Sequence, residues 1–321
     1  NLSHEYTQRS RSFLYASLGA TIAQMLGLSR LRFYENGIVS LNLPPSAQVV
    51  GARATRTTHP QVINALSRLI SQIADRTFVV ENPFLWKTKT EVVKVIADAG
   101  CSDLVRLATS CTHTWEITRL HTHCGTCSQC IDRRFAVLAA GVADADPEEA
   151  YKVDLLTGAR EQGDPRTMVA GFAETAREIT KLDAIGFFTR FGEASRVLRH
   201  IDGNANATAL RVFDLHQRHA RQVTQVIADG IKQYSAEILD RSLPPTCLLR
   251  LTCDASAAHG GTAVTSVAGA QRAGCPKGNY IIRKGECWAI RFGANEEKLY
   301  TPDIGFDYLQ ALFENPGSTV S

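Results

Sequence analysis

The chain has 321 residues, of which 44% are hydrophobic, so it is long enough for two or three domains and at least one buried core. Its 35 basic and 32 acidic residues give a formal net charge of +3. Both signs are scattered along the sequence, which excludes a large single-sign field and predicts neither direct nucleic-acid binding nor attachment to an anionic membrane. No run approaches the ~18 consecutive apolar residues of a membrane span.

The start of the chain bears on its compartment. It lacks the basic-then-apolar pattern of a secretion signal, so we expect a cytoplasmic protein. In that reducing compartment, nine cysteines favour metal ligation over disulfides. Because the chain opens at Asn1 without an initiating methionine, directly before an amphipathic pattern, we expect it to be a fragment that lacks upstream residues.

The first predicted elements are a helix and a strand. Apolar residues recur at spacings of three and four within residues 11–26, which predicts a helix with one buried face. Gly27 ends this helix, residues 31–34 form a strand, and Glu35-Asn36-Gly37 turns the chain away from it. A loop with Pro44-Pro45 follows. The predicted buried face of the helix comprises Phe13, Leu14, Leu18, Ile22, Met25 and Leu26.

A second and a third helix enclose another strand. Pro60 lies near the start of the second helix, and residues 78–80 form the strand. Thr88 and Glu91 form a capping box at the start of the third helix, because the threonine accepts a backbone hydrogen bond and the glutamate returns one. This alternation favours an α/β layer with a parallel sheet. The apolar positions of the second helix are Val62, Ile63, Leu66, Leu69, Ile70 and Ile73.

Three domains are predicted along the chain. Residues 1–143 form the α/β domain, and a change to Asp, Ala, Pro and Glu at residues 144–149 marks its end. Residues 150–243 form a helical extension, which Pro244-Pro245 breaks. Residues 247–321 form a small α+β domain.

The last predicted domain contains three segments of alternating apolar residues, at 248–253, 280–282 and 288–292, and a short helix at 306–313. Residues 305–317 resemble a helix-and-turn motif of small winged-helix-like domains in bacterial regulators. That resemblance implies a docking role toward a protein partner through the C-terminal extension. The aromatic and leucine positions of the motif fit a core better than a contact surface.

Three cysteines, Cys124, Cys127 and Cys130, lie within seven residues. At this spacing, one turn can direct three sulfurs to a single centre, and Gly125 permits the unusual φ that a tight knuckle needs. Structural zinc takes four thiolate or imidazole ligands in a tetrahedron, and Cys111 is close enough upstream to supply the fourth.

The cysteine cluster has alternatives. His121 or His123 could replace Cys111 as the fourth ligand. The plainer interpretation is that both histidines are solvated neighbours of the knuckle. Thiol redox chemistry or a disulfide needs only one CxxC, so a third and a fourth cysteine favour zinc. A site with four thiolates is closed, which predicts a structural zinc with the chemistry elsewhere.

A longer constellation surrounds these cysteines: Pro83, Thr88-Lys89-x-Glu91, Thr109-Ser110-Cys111, Cys124-Gly-x-Cys127-x-x-Cys130-x-x-Arg133 and a helix ending at Gly141. It resembles the C-terminal half of the 7-cyano-7-deazaguanine synthases, a family of PP-loop ATP pyrophosphatases. The segment Arg11-Ser12 resembles the family's Arg-Asn pair, with Ser12 in place of Asn, so the resemblance spans about residues 9–141. It implies a Rossmann-like parallel sheet of the adenine nucleotide alpha hydrolase type.

The resemblance also implies an ATP-dependent carbon–nitrogen ligase. In this family ATP, with Mg²⁺, activates the carboxylate of 7-carboxy-7-deazaguanine as an acyl-adenylate. Ammonia displaces AMP to give an amide, and a second activation leads to the nitrile that feeds queuosine-type modification. The implied cofactors are Zn²⁺ and ATP, and the implied partners are a substrate like 7-carboxy-7-deazaguanine and ammonia.

Carried over to this sequence, the resemblance makes the four cysteines the zinc ligands and makes Arg11, Lys89 and Arg133 contacts of nucleotide or substrate. Lys89 lies in the first turn of its helix, where free N–H groups and the helix dipole favour an anion. A solvated lysine is the alternative for Lys89, and ordinary surface salt bridges are the alternative for the arginines. The sequence contains no self-evident general base. This is expected where ATP activates the carboxylate, because the enzyme then mainly positions the substrate and stabilises the charge on phosphate.

Two departures separate the chain from the family. The Ser-Gly-Gly-x-Asp-Ser loop that holds the ATP phosphates is absent from residues 1–321, and we expect it upstream of Asn1. The alternative is a zinc-stapled binding or regulatory subunit without ATP turnover. Residues 35–43 replace a Gly-x-Asn-x-x-Asp segment, which predicts different substrate contacts. With the C-terminal extension, this pattern resembles divergent synthase-like proteins, including those of anti-phage systems that act on protein partners.

Overall fold

The computed structural model describes residues 11–43, 57–201, 203–254, 280–284, 287–291 and 298–300. The chain divides into two compact units, Asn1–Thr262 and Ala263–Ser321. The predicted boundary after residue 143 lies inside the first unit. The predicted Pro44-Pro45 loop and the predicted helix at 306–313 lie outside the described residues.

The described part of the first unit is mostly helical and contains one small parallel sheet of two strands. The strands are β1 (Arg30–Arg32) and β2 (Val79–Glu81). Short 3₁₀ segments lie at Thr114–Glu116, Ala143–Ala145, Glu148–Ala150 and Gly192–Arg199. The helices are α1 (Arg11–Met25), α2 (Gly37–Leu41), α3 (Pro60–Ala74), α4 (Lys89–Asp98), α5 (Asp103–Leu107), α6 (Ser128–Ala140), α7 (Asp164–Ile179), α8 (Ala184–Arg190), α9 (Ala205–Gln233), α10 (Ser235–Leu239) and α11 (Leu248–Cys253).

The two strands pair in parallel, with Leu31 opposite Val80. A parallel pair needs a crossover connection, and α3 lies within that connection. Both strands fall within two residues of their predicted positions, so the predicted parallel sheet is confirmed. A two-stranded parallel sheet among helices is consistent with the α/β class.

Helix α1 is confirmed, but its predicted buried face is wrong. Its buried residues are Ser12, Ala16, Ala20 and Ala23, whereas the large apolar residues are each more than half exposed to solvent. The cause is close packing on the sheet: a Cβ at Gly19 would lie only 2.7 Å from Leu31 Cδ1. Small side chains allow that approach, and the bulky residues are left on the outer face: Phe13, Leu14, Leu18, Ile22, Met25 and Leu26.

Helix starts in this region are fixed by side-chain caps. Thr88 Oγ1 accepts from the Glu91 N–H at 3.2 Å, and the Glu91 carboxylate accepts from the Thr88 N–H at 3.0 Å. The predicted capping box of α4 is therefore confirmed. Asn36 caps α2 by accepting from the Val39 N–H at 3.1 Å. Helix α2 was not predicted, because it has only five residues and its glycine start was interpreted as a turn.

The largest hydrophobic core of the described residues surrounds α9, the central helix. Helix α9 packs against α7, α8 and α11, and also against α2, α4 and α6. Residues 150–243 are mostly helical in the structure, and they share their core with the preceding elements. Fully buried members of this core include Ile131, Leu155, Val169, Phe187, Val212, Leu215, Leu248 and Leu249.

Residues 248–253 form helix α11, so the predicted strand at this position is wrong. Leu248, Leu249, Arg250 and Leu251 are all buried. Short apolar runs do not distinguish a strand from a buried helix by periodicity alone, and this run of six residues is an example.

In the second unit, the described residues form an antiparallel sheet in the order β3 (Tyr280–Lys284), β4 (Cys287–Arg291) and β5 (Lys298–Tyr300). The strands predicted at 280–282 and 288–292 are confirmed, and β5 is additional. Within the described part of the chain, no helix combines the length and the apolar character that crossing a lipid bilayer requires.

Replacement of Gly37 by alanine tests how closely α2 packs against Leu85 and Leu215. A Cβ at Gly37 would overlap the carbonyl oxygen of Leu85 and lie 2.6 Å from Leu215 Cδ2. Overpacking against backbone should lower the free energy of unfolding by about 1–3 kcal/mol, measured by urea denaturation. Gly192→Ala is the control, since a Cβ at Gly192 meets no atom within 4 Å. Equal stability of both variants would contradict the described packing of α2.

Candidate metal centre

Four cysteines converge in the first unit. The sulfurs of Cys111, Cys124, Cys127 and Cys130 lie within 4.8 Å of one another, and all four residues are buried. Cys111 comes from the loop after α5, while Cys127 occupies the N-cap position of α6 and Cys130 lies in its first turn. The structure therefore brings together the four cysteines that the sequence predicts as one ligand set.

The knuckle at Cys124 is shaped by local backbone. Gly125 has φ = +77°, and a Cβ there would overlap the carbonyl oxygen of Val153. Only glycine combines this left-handed conformation with so close an approach. The turn directs three donors at the Cys124 sulfur, each at 3.4 Å: the Thr126 N–H, the Thr126 hydroxyl and the Cys127 N–H.

The pKa values of three of these cysteines are shifted by burial and by their neighbouring sulfurs. Hydrogen bonds with the Cys127 and Cys130 side chains lower the pKa of Cys124. The same bond to Cys124 raises the pKa of Cys130. Burial raises the pKa of Cys111 to about 11. The raised pKa values of Cys111 and Cys130 disfavour their thiolates, and a divalent cation would supply the charge that stabilises them.

The spacing fits a tetrahedral metal. With Zn–S bonds of about 2.3 Å, the edge of the tetrahedron is about 3.8 Å. The Cys124 and Cys130 sulfurs lie 3.9 Å apart. A buried set of four thiolates matches the preference of structural zinc. Four protein ligands complete the tetrahedron, so no coordination position is left for a catalytic water.

The neighbouring histidines lie outside this set. His123 stacks on the ring of Tyr151, with centroids 4.8 Å apart, and its Nδ1 contacts the Thr122 hydroxyl at 2.9 Å. Burial lowers the pKa of His123. The His121 N–H donates to the Thr118 hydroxyl at 2.9 Å. Among the described residues, the four-sulfur cluster includes Cys111 and neither histidine.

The segment that follows α6 clamps the cysteine knuckle. The His123 N–H donates to Ala150 O at 3.1 Å, and the Lys152 N–H donates to His123 O at 2.9 Å. Together with the Gly125–Val153 contact, these bonds hold the knuckle against the start of the helical extension. The cysteine centre is therefore attached to the rest of the first unit both through α6 and through the segment that follows α6.

A buried ionic network supports this clamp. Asp146, which is 2% exposed, accepts from Arg133 Nη2 at 2.7 Å and from the Tyr151 hydroxyl at 2.7 Å. Arg134 donates to the Asp146 carbonyl and lies over the Tyr151 ring. Burial, followed by the charge and the hydrogen bond of Asp146, raises the pKa of Tyr151. Sequence reasoning missed Asp146 and Tyr151, because each lies in a segment without a motif.

The predicted nucleotide or substrate contacts lie in three different settings. Arg11 is exposed at the first residue of α1. Arg133 is buried, and besides Asp146 it donates to Ala108 O at 2.9 Å and Val105 O at 2.5 Å. Lys89 Nζ lies 2.9 Å from Asp132 Oδ2, with the lysine side chain 17% exposed. Of the three, Lys89 combines partial exposure with a position at a helix start.

Residues 57–141 match the family model described as queuosine biosynthesis protein QueC. This part of the chain is QueC-like. The match covers about a quarter of the chain and contains the four cysteines, Lys89 and Arg133; Arg11 lies before it. No curated protein matches the chain, and no solved structure matches it. Within residues 57–141, the match confirms the resemblance inferred from the cysteine constellation.

Replacement of one cysteine tests the metal centre. Cys127→Ser should reduce bound zinc from about one ion per chain to near zero, because a structural site needs all four ligands. The melting temperature should fall as well, since metal binding is coupled to folding. Elemental analysis and thermal denaturation measure the two effects. Cys101→Ser is the control, because Cys101 is exposed and outside the cluster; unchanged zinc in Cys127→Ser would refute the ligand set.

The Asp146 network predicts a large effect on stability. Asp146→Asn removes the charge that two buried arginines face, and breaking a buried ionic network costs about 3–5 kcal/mol. Chemical denaturation should show this loss. Asp229→Asn, which removes an exposed partner of Lys232, should leave the free energy of unfolding unchanged. A comparable small effect for both variants would mean that the network contributes little.

Proposed function

We propose that the protein is a QueC-like, ATP-dependent ligase that activates a carboxylate as an acyl-adenylate and amidates it. The observation that carries this proposal is the coincidence of the QueC match at residues 57–141 with the four buried sulfurs inside it. The substrate is of the 7-carboxy-7-deazaguanine type, ammonia is the amine donor, and the cofactors are Zn²⁺ and ATP with Mg²⁺. The protein acts in the cytoplasm, where its cysteines stay reduced.

In this proposal the zinc is structural. A closed set of four thiolates binds no substrate, but it fixes the start of α6 through Cys127 and Cys130. Asp132 lies in the same turn of α6 and holds Lys89 at the start of α4. The metal thereby sets the position of Lys89, which is the predicted substrate contact that is partly exposed within the QueC-like segment.

The fold proposed for this function is a Rossmann-like sheet of the adenine nucleotide alpha hydrolase type. The parallel pair of β1 and β2, with α3 in its crossover, supports it as one unit of such a sheet. In open parallel sheets, ligands bind at the carboxyl ends of the strands. Residues that follow β1 and β2 are therefore the proposed wall of the substrate site.

A second function has an observation in its favour. Residues 1–321 contain no Ser-Gly-Gly-x-Asp-Ser loop to hold the ATP phosphates. A zinc-stapled binding or regulatory subunit, which docks a protein through the C-terminal extension, needs no such loop. The two functions differ in whether ATP is consumed.

Pyrophosphate release distinguishes them. The complete gene product, incubated with ATP, Mg²⁺ and 7-carboxy-7-deazaguanine, should release pyrophosphate in a substrate-dependent manner if it forms an acyl-adenylate. Lys89→Met should reduce this rate by at least about tenfold, since the loss of one charge-assisted contact costs about 1.5–3 kcal/mol. Lys94→Met, on the exposed side of the same helix, is the control. Release at background level in the unaltered protein would favour the binding subunit.

A further inference from the structure

One face of α9 lies against the turn that leads into Lys89. Helix α9 follows the QueC-like segment in the chain and is not part of it. Arg211, Asp214 and Arg218 follow one another at spacings of three and four residues, which places them on one face of the helix. The guanidinium carbon of Arg211 lies 4.0 Å from the centroid of the Trp86 ring. Contacts from outside the QueC-like segment therefore reach the start of α4.

Arg218 bridges the two sides of this helix start. Its Nη1 donates to Glu91 Oε1, and its Nη2 donates to the Trp86 carbonyl at 3.1 Å. Its Nε donates to Asp214 Oδ2 at 2.8 Å, which orients the guanidinium from the preceding turn of α9. Because Trp86 precedes α4 and Glu91 lies in its first turn, one planar guanidinium joins the residues on both sides of Lys89.

Glu91 is shared between this bridge and the capping box of α4. Its Oε2 accepts from the Thr88 N–H at 3.0 Å, which closes the capping box, while its Oε1 accepts from Arg218. Lys89 lies directly after Thr88, and its Nζ lies 2.9 Å from Asp132 Oδ2 on α6. Lys89 is therefore held from two helices: Asp132 of α6 fixes the ammonium, and Arg218 of α9 fixes the backbone around it.

The exposure of the Arg218–Glu91 pair separates stability from positioning. The two side chains are 30% and 26% exposed. Ion pairs that contact solvent contribute little to the free energy of unfolding. Misplacement of a substrate contact by roughly 1 Å can reduce a rate by about 100-fold, because the aligned geometry is lost. The loss of this pair should therefore change the position of Lys89 more than the stability of the fold.

We propose that Arg218 is a positioning residue for Lys89, which makes the helical extension a working part of the site to which Lys89 belongs. The inference rests on the proposed function, because it gives the extension a role in the contact that Lys89 makes with nucleotide or substrate. In this role Arg218 does not touch the ligand. It acts through Glu91 and the carbonyl of Trp86, and Arg211 assists by holding the Trp86 ring.

Hydrogen–deuterium exchange of the complete gene product tests the bridge without any ligand. Arg218→Met removes all donors of the guanidinium and keeps an aliphatic side chain. The backbone N–H groups of residues 86–91 should then exchange several-fold faster, since they lose a contact that restrains them. Arg221→Met, at an exposed arginine of the same helix, is the matched control and should leave this exchange unchanged. The melting temperature of Arg218→Met should fall by only a few degrees.

A double-mutant cycle tests whether Arg218 acts through Lys89. Pyrophosphate release with ATP, Mg²⁺ and 7-carboxy-7-deazaguanine is measured for Arg218→Met, Lys89→Met and the double variant. We expect Arg218→Met alone to reduce kcat by about tenfold or more. In the Lys89→Met background, the same substitution should have almost no further effect, because the group that it misaligns is already absent. A purely structural defect would instead multiply the two losses.

Two results would overturn the positioning role: exchange of residues 86–91 that is unchanged in Arg218→Met, or losses that multiply in the double variant. If Arg218→Met unfolds, Arg218→Lys replaces it, since lysine keeps the charge but bonds the acceptors less completely. Release at background level in the unaltered protein would remove the ligase proposal and the role toward its reaction, whereas faster exchange in Arg218→Met would keep the bridge. Substrate-dependent release together with unchanged exchange would keep the ligase and remove the positioning role.

Discussion

The convergence of four buried sulfurs is the constraint on which this structure depends. They join a loop after α5 to the first turn of α6, and the clamp by residues 146–153 then ties both to the helical extension. Neither the loop nor the knuckle has an apolar core of its own comparable to that around α9. A metal held by these sulfurs would couple the folding of three segments that are otherwise joined by few apolar contacts.

That constraint reaches the proposed substrate wall through a short path. Cys130 and Asp132 are two residues apart on α6, and Asp132 holds Lys89 across to α4. Helices α4 and α6 both pack on α9, so the ion pair is fixed by rigid elements. The metal centre and the Lys89–Asp132 ion pair are thus joined by one turn of α6. This separation of support from binding explains why a site with no catalytic water can matter to function.

Much of this arrangement was predictable from sequence, and the exceptions have physical causes. The cysteine set was predictable because ligand spacing is a local property, and the capping box of α4 because it lies within four residues. Helix α1 was predicted with the wrong face buried, because close backbone approach selects small residues at Ser12, Ala16 and Ala20 over large ones. Asp146 and Asp132 were not predictable, since their partners are defined only by long-range packing.

The bulky outer face of α1 has a consequence for handling this protein. Leu18 and Ile22 are more than half exposed within the described chain, so they contribute little to its folding free energy, while exposed apolar stripes in general favour association. The residues that stabilise the fold and the residues exposed to solvent therefore lie on opposite sides of a single helix. Polar replacements along this stripe offer a way to raise the working concentration of the protein without disturbing its interior.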